Sequence, residues 1–213
     1  MKLVWKGIYK DLDQLPVGQL PDHAVKFKEP NSMLMLNLVA SLFIIPVLLL
    51  IALAVILKSL LSGSVEMSFF NVWGIVLAFL MILPHELLHA IVFPKEKEVE
   101  LWFSPKSLVA FVISTAPISK SRFIFLSMLP NLIFGFIPLL IWIFLPQGLV
   151  ITEIVFSFAF ISLMFGIGDY LNIFNAILQM PKGSLQQLSG MNSYWYMPRS
   201  QETSMLGTKN EQI

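Results

Sequence analysis

Cysteine is absent from all 213 residues, which removes disulfides, thiolate nucleophiles and sulfur-ligated metal at once. Any metal site must therefore use His, Asp or Glu. Charge is scarce as well: Asp, Glu, Lys and Arg make up 13% of the chain against 56% hydrophobic residues, and the net charge is +1. A nearly neutral chain has no surplus of Lys and Arg with which to neutralise phosphates, so nucleic acid is not an expected partner. A chain so poor in charge also cannot clothe a soluble core. Its mean hydropathy of +0.77 requires lipid as part of its solvent. The pattern of a cleavable leader is missing too. Lys2, Lys6, Lys10, Asp11, Asp13 and Asp22 interrupt the apolar residues near the start, so 1–32 is expected to remain as a polar arm.

What is present is a set of long apolar runs. Four reach the roughly 20 residues that a helix needs to cross a bilayer: about 33–57, 69–93, 123–145 and 150–178. The last two are joined only by Pro146-Gln147-Gly148, so they are expected to be antiparallel neighbours. Basic residues gather before the first run (Lys2, Lys6, Lys10, Lys26, Lys28), between the second and third (Lys95, Lys97, Lys106, Lys120, Arg122) and after the fourth (Lys182, Arg199, Lys209). Only Lys58 falls on the other side. Because Lys and Arg are held in the cytoplasm, this bias predicts four spans with both flanking segments cytoplasmic. The stretch 181–213, rich in Ser, Gln, Asn and Gly, reads as a loosely ordered cytoplasmic tail.

The connection between the second and third spans has its own pattern. Glu98 to Phe103 partly alternates polar and apolar residues, Ser104-Pro105-Lys106-Ser107 forms a turn signal, and Leu108 to Ile113 is apolar and β-branched. That order predicts a hairpin at the cytoplasmic interface; an interfacial helix over 107–115 is the alternative. The expected fold is thus a membrane all-α bundle of about four transmembrane helices with a short interfacial β-hairpin between spans two and three.

The second span carries His85-Glu86-Leu87-Leu88-His89. Two histidines four residues apart on a helix share one face, so both imidazoles can reach one tetrahedral metal. Glu86 lies about 100° around the helix from His85, where its carboxylate can take a proton from water at the metal instead of binding the metal itself. Pro84 cannot donate to the carbonyl of Leu80 and is expected to kink the helix at this point. Ionisable groups in a membrane span are costly unless they are partnered, and they mark function.

A catalytic zinc takes three protein ligands. Asp169, in Gly166-Ile167-Gly168-Asp169-Tyr170-Leu171-Asn172, lies within a turn or two of the histidines in depth, and Gly166 and Gly168 permit close helix approach. Glu153 lies near the opposite interface and does not match. Asn172, Asn175 and Asn131 are candidates for binding substrate or holding a ligand, or they simply tie helices together. His23, in the polar arm, is not expected to be a ligand.

Residues 85–90, the stretch from Pro117 to Pro130 and Gly168-Asp169-Tyr170-Leu171-Asn172 together resemble the site-2-protease-like intramembrane zincins, and most closely the compact bacterial DUF3267 type. The resemblance implies one zinc per chain held by His85, His89 and Asp169, with Glu86 as base. It also implies a bacterial cell-membrane location and a membrane-associated protein or peptide substrate that adds as a strand beside the hairpin. The Asn-Pro-Asp-Gly type motif of the better-known members is replaced here by Gly168-Asp169-Tyr170. Two other readings stand beside a membrane zinc protease: a non-catalytic membrane adaptor with a structural metal, and a zinc hydrolase acting on a non-peptide amide or ester.

Overall fold

The computed structural model describes residues 1–30, 32–63, 71–106 and 109–198. It is mostly helical, with two small sheets.

The helices begin and end where local chemistry dictates. Ser32 caps α1 (Met33–Ser41) by accepting the amide of Met35, as a short hydroxyl side chain does well. The chain turns at Leu42-Phe43 and continues as α2 (Ile44–Ser62), which Gly63 terminates at φ 77° while donating its amide to the carbonyl of Ser59. Only glycine takes that conformation without steric cost. Asn71 caps α3 (Val72–Leu80) by accepting the amides of Trp73 and Gly74. A break at Met81 then leads to α4 (Ile82–Val92). Pro84 accounts for it, because the carbonyl of Leu80 loses its donor.

Further on, α5 (Lys120–Asn131) runs through a π-helical turn at Leu132–Phe136 into α6 (Ile137–Phe144). α7 (Val150–Phe165) and α8 (Ile167–Gln179) meet at Gly166 with a bend of 50°. Three helical segments, Leu34–Ser62, Val72–Val92 and Lys120–Phe144, are long and apolar enough to cross a membrane. The bent pair makes a fourth if it is one span.

The chain divides into two compact units. The helical unit, Pro30–His89 with Leu126–Ile173, packs around Val47, Ile51, Leu139, Trp142, Phe156 and Leu163. Small residues bring its helices close. A side chain on Gly74 would meet the carbonyl of Ile154 at 2.6 Å and the Cβ of Ser157 at 2.7 Å. Large apolar residues such as Leu49, Leu60, Trp73, Leu80 and Phe144 are exposed on its outside, which is the inverse of a soluble surface and suits lipid contact.

The second unit joins Met1–Glu29, Ala90–Phe125 and the chain from Phe174 onward. Here the structure corrects the all-α expectation. β1 (Lys2–Ile8) runs parallel to β3 (Glu98–Ser104), which pairs antiparallel with β4 (Val109–Ile113). The hairpin in the connection is therefore present, with Leu101 opposite Val112, and residues 107–108 of its turn lie outside the described residues. A helix over 107–115 is excluded by β4. In the other sheet, β2 (Val25–Lys26), β5 (Ile118–Ser119), β6 (Leu185–Ser189) and β7 (Asn192–Tyr196) take the order β2-β7-β6-β5.

The tail read as loosely ordered thus holds a hairpin, closed at Gly190 with φ 58°. Its polar residues Gln186, Gln187 and Ser193 are buried. The polar arm supplies partners: Pro16 accepts the amide of Gly190, the carbonyl of Gln19 accepts from Gln187, and Phe27 donates its amide to Ser193. Local composition could not reveal bonds contributed from more than 160 residues away in sequence.

Lys58 shows how the apolar unit treats a stray charge. The residue is 1% exposed, and its Nζ donates to the carbonyls of Trp142 at 2.8 Å and Leu145 at 2.6 Å while lying 4.9 Å from the centre of the Trp142 ring. It therefore closes the C-terminal end of α6, where carbonyls otherwise lack donors. Lys58→Ala should lower the thermal midpoint of the detergent-solubilised protein by a shift worth about 1–3 kcal/mol, the cost of stranding buried carbonyls. An unchanged melting curve would contradict that role.

Candidate metal centre

His85 and His89 stand one turn apart on α4, their ring centres 4.9 Å apart and their planes at 80°. Asp169 sits in the first turn of α8, immediately after the bend at Gly166. Its Oδ2 lies 3.2 Å from His85 Nε2 and its Oδ1 lies 3.3 Å from His89 Nε2. All three side chains are largely enclosed, with 14%, 9% and 12% exposure for His85, His89 and Asp169. Among the described residues these three offer ligand atoms that all lie within 4.8 Å of one another.

Two physical tests show that the donor set fits a metal ion. The first is spacing. Donors on a tetrahedral zinc at about 2.0–2.1 Å stand roughly 3.3 Å apart, and each histidine lies at about that distance from one oxygen of Asp169, His85 from Oδ2 and His89 from Oδ1. The second is proton placement. His89 Nδ1 lies 2.9 Å from the carbonyl oxygen of Leu126, which can only accept, so Nδ1 carries the proton of a neutral ring. Nε2 then turns a lone pair toward a carboxylate oxygen. The two repel unless a cation stands between them. A proton would serve one such pair, whereas two imidazoles and a carboxylate converging on one point suit a divalent metal.

The Leu126 carbonyl is available for a reason written in the sequence. Pro130, four residues on and inside α5, has no N–H to donate to it. Asn131 follows. It is fully enclosed, and its Nδ2 donates to Asp169 Oδ2 at 2.8 Å and to the carbonyl of Ser127 at 3.1 Å. The third span therefore supplies no ligand and yet contacts two of the three.

The remaining candidates fall in different places. Glu86 lies half-buried on α4 and acts electrostatically on His89. Asn172 is half-buried and takes no part in the bonds above. Asn175 is buried and accepts from Gln179 Nε2 at 3.0 Å. Glu153 accepts from Asn71 Nδ2 at 3.2 Å. His23 Nε2 pairs with the Met197 carbonyl at 3.0 Å. Gly168 was expected to permit close helix approach, but a side chain there would meet nothing within 4 Å. Gly166 alone takes that role, with a side chain there colliding with Asn131. Sequence reasoning missed the Leu126 carbonyl and that the residue Gly166 makes room for is Asn131. Counting four residues back from Pro130 would have found the first. The second depends on a contact between helices that no local pattern encodes.

Residues 77–185 match the sequence model of the DUF3267 family, described as "Putative zincin peptidase". That range includes all three ligand candidates, Glu86, Pro130 and Asn131. No curated protein and no solved structure matches the chain.

Pro130→Ala would give the Leu126 carbonyl a helical donor in competition with His89, loosening the ring that the carbonyl orients. Zinc affinity measured by chelator competition should fall about tenfold, the lower end of what losing an orienting partner costs. Unchanged affinity would show that the carbonyl does not orient the ligand.

Proposed function

Because the chain belongs to the DUF3267 family, we propose that it is a membrane-embedded zinc metalloprotease that hydrolyses peptide bonds of membrane-associated substrates near the cytoplasmic face. The observation that carries this reading is the convergence of His85, His89 and Asp169, with ligand atoms within 4.8 Å of one another, and Glu86 beside the first histidine in sequence. Zinc held by those three residues would supply Lewis acidity toward water and the scissile carbonyl.

The chain's own groups do the rest. Leu126 and Asn131 hold His89 and Asp169 in ligating orientation. Glu86 takes the proton of the attacking water as it adds to the peptide carbonyl and returns it to the departing amine. The enclosure of the ligands keeps bulk water from competing with substrate. An extended substrate would add to β4, which forms one edge of the β1-β3-β4 sheet, through its main-chain hydrogen bonds.

Connectivity supports the proposed topology. β1, which precedes the first span, is hydrogen-bonded to β3, which lies between the second and third. β5, from that same connection, is bonded to β6, which follows the last helix. Strands in one sheet must share one side of a membrane, so the chain crosses an even number of times between them. That favours reading α7 and α8 as one broken span, for four in all. The Lys and Arg residues of these segments favour the cytoplasm for that side, in keeping with a multi-pass protein of a bacterial cell membrane.

Glu86→Gln should retain zinc, as measured by elemental analysis of the purified protein, while cleavage of a panel of membrane-spanning peptides in proteoliposomes drops by about 10²- to 10⁴-fold, the usual worth of a general base. Full activity in Glu86→Gln would overturn the assignment of the base. A panel left uncut by the wild type would move the reading to a non-peptide bond.

A further inference from the structure

The contact between Asn131 and Asp169 says more than that two helices are tied together. Asn131 is 1% exposed. Both protons of its Nδ2 are committed, one to the carbonyl of Ser127 at 3.1 Å and one to Asp169 Oδ2 at 2.8 Å. An amide with both donors engaged cannot swing away, and its two acceptors fix which end is nitrogen. On the other side the group rests against Gly166. A Cβ there would overlap Asn131 Oδ1 and lie 2.5 Å from its Cγ and 2.9 Å from its Nδ2. The helix containing Asn131 widens into a π-turn at the next residue, Leu132–Phe136, a distortion that accompanies specialised side-chain placement. Asn131 Oδ1 has no hydrogen-bond partner among the described residues. Burying that oxygen unpaired carries a cost, so the side chain is held by what its nitrogen does.

What its nitrogen does is occupy one oxygen of a ligand carboxylate. An aspartate with both oxygens free can take zinc bidentately and crowd out water. The Asn131 amide takes one lone pair of Oδ2, which weakens that oxygen as a metal donor although it faces His85 Nε2, and leaves Oδ1 the stronger of the two. We propose that Asn131 sets the denticity of Asp169, making it a one-oxygen ligand and so keeping a coordination position open for water, with Gly166 as the space that lets Asn131 reach it. This inference rests on the metal-site reading above. Asn131 is here a positioning residue. It acts on the reaction only through Asp169.

The test is the visible spectrum of the Co²⁺-substituted protein, since four-coordinate Co²⁺ absorbs far more strongly than five- or six-coordinate Co²⁺. The wild type should show the intense four-coordinate bands. Asn131→Ala should weaken them toward a five-coordinate spectrum and reduce Zn²⁺ affinity about tenfold in chelator competition. Gly166→Ala leaves Asn131 in the chain but drives its amide off Asp169, and it should give the same spectral change. It carries the test if Asn131→Ala does not survive purification. Four-coordinate spectra of undiminished intensity in the variants would overturn the role of Asn131 while leaving the metal site standing. A wild type that takes up no Co²⁺ would overturn the metal site and this inference together.

Discussion

The cost of keeping two imidazoles and a carboxylate inside an apolar helical bundle governs the rest of this structure. Each such group has to meet a partner where water is scarce. The protein meets that demand by convergence: His85 and His89 face Asp169 at 3.2 and 3.3 Å, and the ring and carboxylate atoms left over are taken up by the Leu126 carbonyl and the Asn131 amide. The arrangement is complete only when a cation joins the lone pairs that face each other. On the proposed reading, a bound metal would complete the packing of the helical unit and also equip it for hydrolysis.

Proline and glycine make the convergence possible by breaking helices where the site needs it. Pro84 interrupts the second span just before His85. Pro130 releases the carbonyl that His89 uses. Gly166 marks the 50° bend that puts Asp169 in the first turn of a new helix, where a negative side chain is favoured by the unpaired amides. Irregular backbone in a membrane is tolerated where protein surrounds it, and all three breaks lie beside the ligands. The same economy appears at the far end of the bundle, where Lys58 closes the carbonyls of α6.

Much of this was legible in the amino-acid sequence because the signals were local. The apolar runs gave the helices long enough to cross a membrane, and the spacing of His85 and His89 gave their common face. The hairpin of β3 and β4 followed from alternation around Ser104-Pro105. Depth matching found Asp169, since a helix converts residue number into height at a fixed rise. The second sheet was not legible, because β2 and β5 are two residues long and pair with strands far away in sequence, and the polar β6-β7 hairpin between them reads locally as loop. Gln186, Gln187 and Ser193 looked like a solvated tail although they are buried in strand pairs. Asn131 stood out as polar in an apolar run, but whether it tied helices or served a ligand depended on a contact 38 residues away.

The central claim is that His85, His89 and Asp169 bind one zinc ion. Zinc-edge X-ray absorption of the purified wild-type protein in lipid nanodiscs tests it most directly. The account predicts one zinc per chain with a four-coordinate shell of light atoms at about 2.0–2.1 Å, the multiple-scattering pattern of two imidazoles, and no sulfur contribution. A protein that purifies without zinc and takes up none on addition, or a shell without imidazole, would contradict it.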